Sequence, residues 1–189
     1  MSDRKGNPVM NICIALLRGI NVGGKNSLPM KGLVAIMEVI GAQKVRTYIQ
    51  SGNAVFEIAE QDLVLLSKRL SVEIGKRYEF KTCVVVLGLE ALEKAMAANP
   101  FPEAEGDPVG LHLGFLASDP THANLEKLDS LRKASERFRL IGPVFYLHAP
   151  EGVGRSKLAA GAEKALGVPM TVRNWRTVGN IREMARELR

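Results

Sequence analysis

Apolar runs of strand length alternate along the chain with apolar residues at helical spacing, and the order of that alternation carries most of the fold information. Ile12, Cys13, Ile14, Ala15, Leu16 and Leu17 form an unbroken apolar run, which suits a central strand covered on at least one face. A glycine-rich loop, Gly19 to Asn26, follows. Pro29 fits the first turn of a helix whose Leu33, Ile36, Met37 and Ile40 share one face, and Gly41 stops it. Val45 to Gln50 and Ala54 to Ile58 read as a hairpin across Ser51-Gly52-Asn53. Leu63, Leu66, Leu70 and Ile74 then recur at helical spacing up to Gly75, and Lys81 to Leu87 is a further strand. The order βαββαβ, with two helices on one face of an antiparallel sheet, is the ferredoxin-like motif.

Leu89 to Ala98 reads as a short helix, and the proline-rich, acidic residues 99–110 read as a linker. The pattern then repeats. Leu111 to Ala117 is a strand, and Thr121 to Lys133 is a helix led by Asp119-Pro120. Phe138 to Ile141 and Val144 to His148 form a hairpin across Gly142-Pro143. Gly152-Val153-Gly154 leads into helix Ser156 to Leu166, and Met170 to Val172 is the fourth strand. Asn174 to Leu188 is a last helix with Trp175, Val178, Ile181, Ala185 and Leu188 facing inward. The expected fold is α+β: two tandem ferredoxin-like halves, residues 11–98 and 111–189, after a loose leader at residues 1–10. The order of elements repeats although no residue-by-residue repeat is visible.

Composition agrees with a folded, water-exposed protein: 189 residues, 46% hydrophobic and 24% charged. No apolar run approaches the roughly 20 residues needed to span a bilayer. Cys13 and Cys83 sit inside apolar runs with no secretory signal read ahead of them, so reduced thiols and a cytoplasmic location are expected, with no membrane partner. The net charge of +6 favours phosphate-bearing partners without demanding them. The excess is concentrated at the end of the chain, where Arg173, Arg176, Arg182, Arg186 and Arg189 face only Glu183 and Glu187.

The segment Gly19-Ile-Asn-Val-Gly-Gly24-Lys25 satisfies the glycine–lysine part of a P-loop, between a strand and a helix. The match breaks at Asn26, where a magnesium-binding hydroxyl is needed, and a βαββαβ sheet is not the parallel sheet of a P-loop enzyme. What survives is anion binding by glycine-loop amides near a helix start, with charge from Arg18 and Lys25. A tight left-handed connection with no ligand would use the same residues. Gly152-Val-Gly154-Arg155-Ser156-Lys157 repeats that chemistry in the second half, with Ser156 as N-cap and two cations opposing the helix dipole. Asn174 can cap the last helix, which Trp175 can anchor in the core. Arg182, Arg186 and Arg189 form a basic stripe on it.

Catalytic constellations are scarce. His112, His122 and His148 have no metal-ligand spacing, no metal or cofactor is expected, and the cysteines read as core. A βαββαβ sheet could stack RNA bases on its first and third strands, but only Phe56 is aromatic there.

Four separated motifs carry a resemblance: Ile14-Ala-Leu-Leu-Arg-Gly-Ile-Asn-Val-Gly-Gly-Lys25-Asn, Arg46-Thr-Tyr-Ile-Gln-Ser-Gly-Asn-Ala-Val-Phe56, Gly154-Arg-Ser-Lys-Leu158 and Thr171-Val-Arg-Asn-Trp-Arg-Thr-Val178. From about Asn11 to its end the chain resembles the bacterial family called domain of unknown function 1697. The resemblance implies a cytosolic protein of two tandem ferredoxin-like halves, and it implies no activity. Its motif positions in this chain are Arg18, Gly19, Asn21, Gly23, Gly24, Gln50, Ser51, Gly52, Asn53, Ser156, Lys157, Arg173, Asn174 and Trp175. Arg176 departs from the asparagine often found there.

Motif residues this polar, placed on loops, point to a binding surface. The expectation is that the loops meet between the halves around an anionic, phosphate-bearing small molecule. Arg18, Lys25, Lys157 and Arg173 would supply charge, and the amides around Gly23 and Gly24 would orient the ligand. Gln50, Ser51 and Asn53 would read its polar groups, with Asn21, Ser156, Asn174 and Trp175 completing the set. The alternative is a nucleic-acid or protein interaction module using the basic last helix. No general base stands out, so no reaction is assigned, although Lys157 or Arg173 could stabilise charge at a transferred group.

Overall fold

The computed structural model describes residues 9–189, so the greater part of the expected leader lies outside the described residues. Within them the chain forms two compact units. The first runs to Glu93 and also takes in Asn180–Arg189; the second is Lys94–Gly179. These bounds differ from the sequence segments 11–98 and 111–189. The reason lies in the last ten residues, whose polar side chains pair within the first unit. Asn180 donates to the Tyr48 hydroxyl at 2.6 Å, and Glu187 pairs with Arg46 at 2.8 Å.

The first unit contains β1 (Asn11–Leu17), α1 (Met30–Val39), β2 (Gln43–Tyr48), β3 (Asn53–Ile58), α2 (Leu63–Tyr78) and β4 (Val84–Gly88). Its antiparallel sheet has the order β2-β3-β1-β4, the ferredoxin-like arrangement. The register runs from Asn11 opposite Ile58 to Leu16 opposite Asn53, and from Cys13 opposite Gly88 to Leu17 opposite Val84. Alternation puts Cys13, Ala15 and Leu17 on one face with Ala54, Phe56, Ile58, Val84 and Val86. There they pack against Leu33, Ile36 and Met37 of α1 and Leu66, Leu70 and Ile74 of α2.

Helix α2 overruns Gly75, where the sequence suggests a stop. It ends at Glu79, which takes the left-handed conformation at φ 59° and donates its N–H to the Gly75 carbonyl. The extra turn brings Tyr78 onto α1 at Gly32, where a Cβ would collide with the phenol oxygen. Close helix packing therefore decides the length of α2, and the glycine that permits it is Gly32.

After α3 (Leu89–Ala97), the second unit repeats the topology with β5 (Leu111–Leu116), α4 (Leu125–Leu131), β6 (Arg137–Ile141), β7 (Val144–His148), α5 (Lys157–Leu166) and β8 (Met170–Asn174), and α6 (Trp175–Arg186) follows. Its sheet order, β6-β7-β5-β8, is the same arrangement. Leu116, Phe145 and Leu147 pack under Leu128 of α4 and Leu158, Ala162 and Leu166 of α5. The residues expected as a linker carry a 3₁₀ turn, Pro102–Gly106, with Ala104 buried. One expectation needs correction here: helix α4 is much shorter than 121–133. Asn124, not Asp119, caps it by accepting from the Lys127 amide, and the Lys133 amide turns away to the buried Glu136 carboxylate at 2.8 Å. Among the described residues no helix is long and apolar enough to cross a membrane.

Candidate functional site

Strands β1 and β2 finish, and β3 and β4 begin, at one end of the first sheet, so three connections gather there: residues 18–29, 49–52 and 79–83. The first is held in an unusual backbone path. Gly19, Asn21, Gly23, Gly24 and Asn26 all take positive φ, between 52° and 74°. Glycine and asparagine tolerate that region best, which explains the composition of the motif without a ligand.

Side-chain amides then lock the path. Asn21 Nδ2 donates to the Leu28 carbonyl at 2.9 Å and to the Gln50 carbonyl at 2.8 Å, while its Oδ1 accepts from the Leu28 amide at 2.8 Å. Asn26 Nδ2 donates to the Gly19 carbonyl, and Asn26 O accepts from the Asn21 amide. The β2–β3 turn is held the same way. Buried Asn53 donates to the Tyr48 carbonyl and the Ser51 hydroxyl, and Gly52 O accepts from the Leu17 amide at 2.8 Å. On the third side, the Thr82 hydroxyl donates to the Arg18 carbonyl at 2.7 Å. Asn21 and Asn53, expected among the ligand readers, thus spend their amides on backbone and hydroxyl groups, and Gln50 contributes its main-chain carbonyl.

On this frame stand exposed cations. Between Arg18 and Met37 the chain carries Arg18, Lys25 and Lys31 and no carboxylate. Lys31 lies in the first turn of α1, which has Pro29 at its cap, no side-chain cap and no acidic residue. A cation in that turn opposes the positive end of the helix dipole. Cys83 lies across from Arg18, whose amide donates to its carbonyl at 2.9 Å. Cys13 is buried within the sheet and its thiol is pushed up to about 11 by burial, which makes it a poor nucleophile.

The second glycine turn occupies a different connection. It follows β7 and enters α5, whereas the first follows β1 and enters α1, so the two are not equivalent positions of the repeated topology. Ser156 is buried and caps α5 as expected, accepting from the Ala159 amide at 2.9 Å, and Arg155 and Lys157 beside it are exposed. Arg173 lies on β8 with its guanidinium donating to the Thr171 hydroxyl and the Val172 carbonyl; burial pulls its pKa down to about 10, still fully charged at neutral pH. Asn174 caps α6 by accepting from the Thr177 amide. Trp175 is half-buried rather than a core anchor, the buried side chains of α6 being Val178, Ile181 and Ala185.

The basic stripe of the last helix is answered by carboxylates. Arg182 pairs with Glu183 at 2.8 Å, Arg186 with Glu93 at 2.7 Å, and Arg189 with Glu93 at 3.3 Å. The Arg186 hydrogen bond holds the Glu93 carboxyl below its usual range.

Sequence reasoning missed one polar cluster in the second unit. Arg137 lies 4.7 Å from the Phe101 ring centre, pairs with Glu103, and sets its guanidinium 3.1 Å from His148 Nδ1. His148 Nε2 lies 4.0 Å from Asp107. His112 is buried, and burial lowers its pKa. The only signal for this cluster is the pairing of Leu111 and Arg137 with His148, which no local spacing reveals. No group of histidine, cysteine and carboxylate side chains among the described residues is arranged to hold a metal.

No curated protein matches the chain. Among solved structures it is similar to the conserved bacterial protein SP0830 from Streptococcus pneumoniae, at 26% identity and a TM-score of 0.71, over 94% of this chain and 99% of that one. The model of a protein family of unknown function, DUF1697, matches residues 10–146, a span that includes both the locked glycine loop and the β2–β3 turn. The chain belongs to the DUF1697 family.

Proposed function

We propose that the protein binds a small phosphate-bearing anion at the loop end of its first unit. The observation that carries this reading is a glycine loop locked by Asn21 and Asn26, standing beside the first turn of α1 and displaying Arg18, Lys25 and Lys31 in a stretch without a carboxylate. Rigid main-chain amides flanked by cations form an anion site whose main-chain ordering cost is met on folding. Ser51 lies in the β2–β3 connection at this end, its hydroxyl accepting from Asn53. In the second unit Ser156, Lys157, Arg173, Asn174 and Trp175 are a further set with the same chemistry, Lys157 standing exposed at the start of a capped helix. The stripe on α6 is the weaker reading, because its arginines are already paired with carboxylates.

The test is thermal unfolding of the intact protein against inorganic phosphate, nucleotides, sugar phosphates and short RNAs, repeated with Lys25→Ala and Lys157→Ala. A ligand at about 100 times its Kd adds about 2.7 kcal/mol, roughly 5 to 10 °C for a chain of this size. A small-molecule shift lost in Lys25→Ala supports the reading. Salt-sensitive stabilisation by RNA alone, unchanged in both variants, overturns it in favour of α6.

A further inference from the structure

The two sheets end in edges of different character. In the first unit, β2 is interrupted: its register against β3 shifts between Gln43 and Arg46, and Lys44 takes φ 50°. Its side chains are also engaged, Lys44 with Glu57 and Arg46 with Glu187. A bulged, charged strand is a usual way of blunting a sheet edge. The matching strand of the second unit has no such device. β6 pairs with β7 in unbroken register, from Arg137 opposite His148 to Ile141 opposite Val144, and carries no strand on its other side.

Beside that open edge lies a groove. Phe138 and Leu140 point inward from β6 and are only half-buried, because α4 spans just seven residues and leaves them incompletely covered. The resulting cavity has a volume of about 560 Å³ and is lined by Leu125, Glu126, Asp129, Phe138, Arg139 and Leu140. Leu125 is exposed on the α4 side. Asp129 is held by Arg132, whereas Glu126 has no ion-pair partner among the described residues.

We propose that the edge of β6 receives an extended segment of a partner protein as a fifth strand, with apolar side chains at alternate positions entering the groove and a basic side chain meeting Glu126. Main-chain hydrogen bonding to an edge gives affinity in this mode, and the pockets for alternate side chains give selectivity. A second copy of this chain fits less well. Antiparallel self-pairing of β6 about its centre would set Arg139 directly opposite its own counterpart, and like charges facing each other across strands destabilise the pair.

The test is selection of random twelve-residue peptides displayed on phage against the intact protein, followed by titration of the synthetic winners. The expected winners alternate apolar residues, carry a lysine or arginine between them, and slow amide exchange at residues 137–141. Glu126→Gln and Leu125→Asp, both on the exposed side of α4, each weaken binding several-fold while leaving the melting temperature of the protein within roughly a degree. Failure to enrich any peptide overturns the proposal. So do winners that protect amides elsewhere or bind both variants equally, and so does concentration-dependent protection of β6 in the protein alone with a dimer in sedimentation, which would make a second copy the occupant.

Discussion

Replacing Asn21 by alanine removes three hydrogen bonds at once, and the structure sets their worth. The Leu28 amide sits on a fully buried residue and loses its acceptor, a loss of about 1–3 kcal/mol. The carbonyls of Leu28 and Gln50 lose a donor each, about 1 kcal/mol for the first and less for the second, which can turn to water. Alanine must also hold φ near 54°, which costs an L-residue about 1–2 kcal/mol. The expected total is about 4 kcal/mol, a large share of the stability of an ordinary domain. Urea unfolding followed by circular dichroism, with amide exchange of residues in β1 and β3 to locate the effect in the first unit, measures it. Two companion variants separate the causes. Asn21→Gly loses the bonds but accepts the backbone angle and recovers part of the loss, while Asn21→Asp keeps the acceptor for Leu28 and falls between. A loss below about 1 kcal/mol in Asn21→Ala would refute the assignment of this residue as the lock of the loop.

Two further outcomes follow from close contacts. Gly52→Ala places a Cβ 2.6 Å from the Leu17 Cβ at a position of φ 73°, so a loss of about 3 kcal/mol is expected in thermal or chemical unfolding, from overpacking and backbone strain together. Tyr146→Phe deletes a buried 2.6 Å hydrogen bond to the Ala95 carbonyl and should cost about 1 kcal/mol. Burial pushes this phenol up to about 12 from its ordinary 10. The folded state therefore holds a proton that the unfolded state releases first, so the stability linked to Tyr146 is complete below pH 10 and is lost as pH rises from 10 towards 12. Unfolding midpoints measured across that window should fall less steeply in Tyr146→Phe than in the parent.

Much of the fold is legible in the sequence because both halves obey simple periodicities. Cys13, Ala15 and Leu17 face the helices as strand alternation requires, and Leu66, Leu70 and Ile74 line α2 as helical spacing requires. The misreadings occur where a tertiary partner overrides a local sign. Gly75 looks like a helix end, yet Tyr78 has Gly32 to pack on and the helix continues. Gln50 reads as strand, but Ile49 turns left-handed and moves it into the hairpin connection. Asp119-Pro120 looks like a helix start, but the side chain that caps is Asn124. The candidate site divides along the same line. Its residues are visible as motifs, whereas the role of Asn21 depends on meeting Leu28 and Gln50, and that of Asn53 on meeting Tyr48 and Ser51; these pairings exist only once the chain has folded.

The first unit is discontinuous in sequence, and that bears on how the protein is made. Asn180–Arg189 leave the ribosome after every residue of the second unit, so Tyr48, Arg46 and Glu93 wait for their partners until that unit has been made. Domains released in order ordinarily fold from the N-terminus onward. Here the order inverts at its final step: Lys94–Gly179 can close while the earlier unit still awaits its last helical turns. A chain ending at Gly179 should therefore present a protease-resistant second unit alongside a first unit in which Arg46 and Tyr48 lack their partners while Lys44 keeps Glu57.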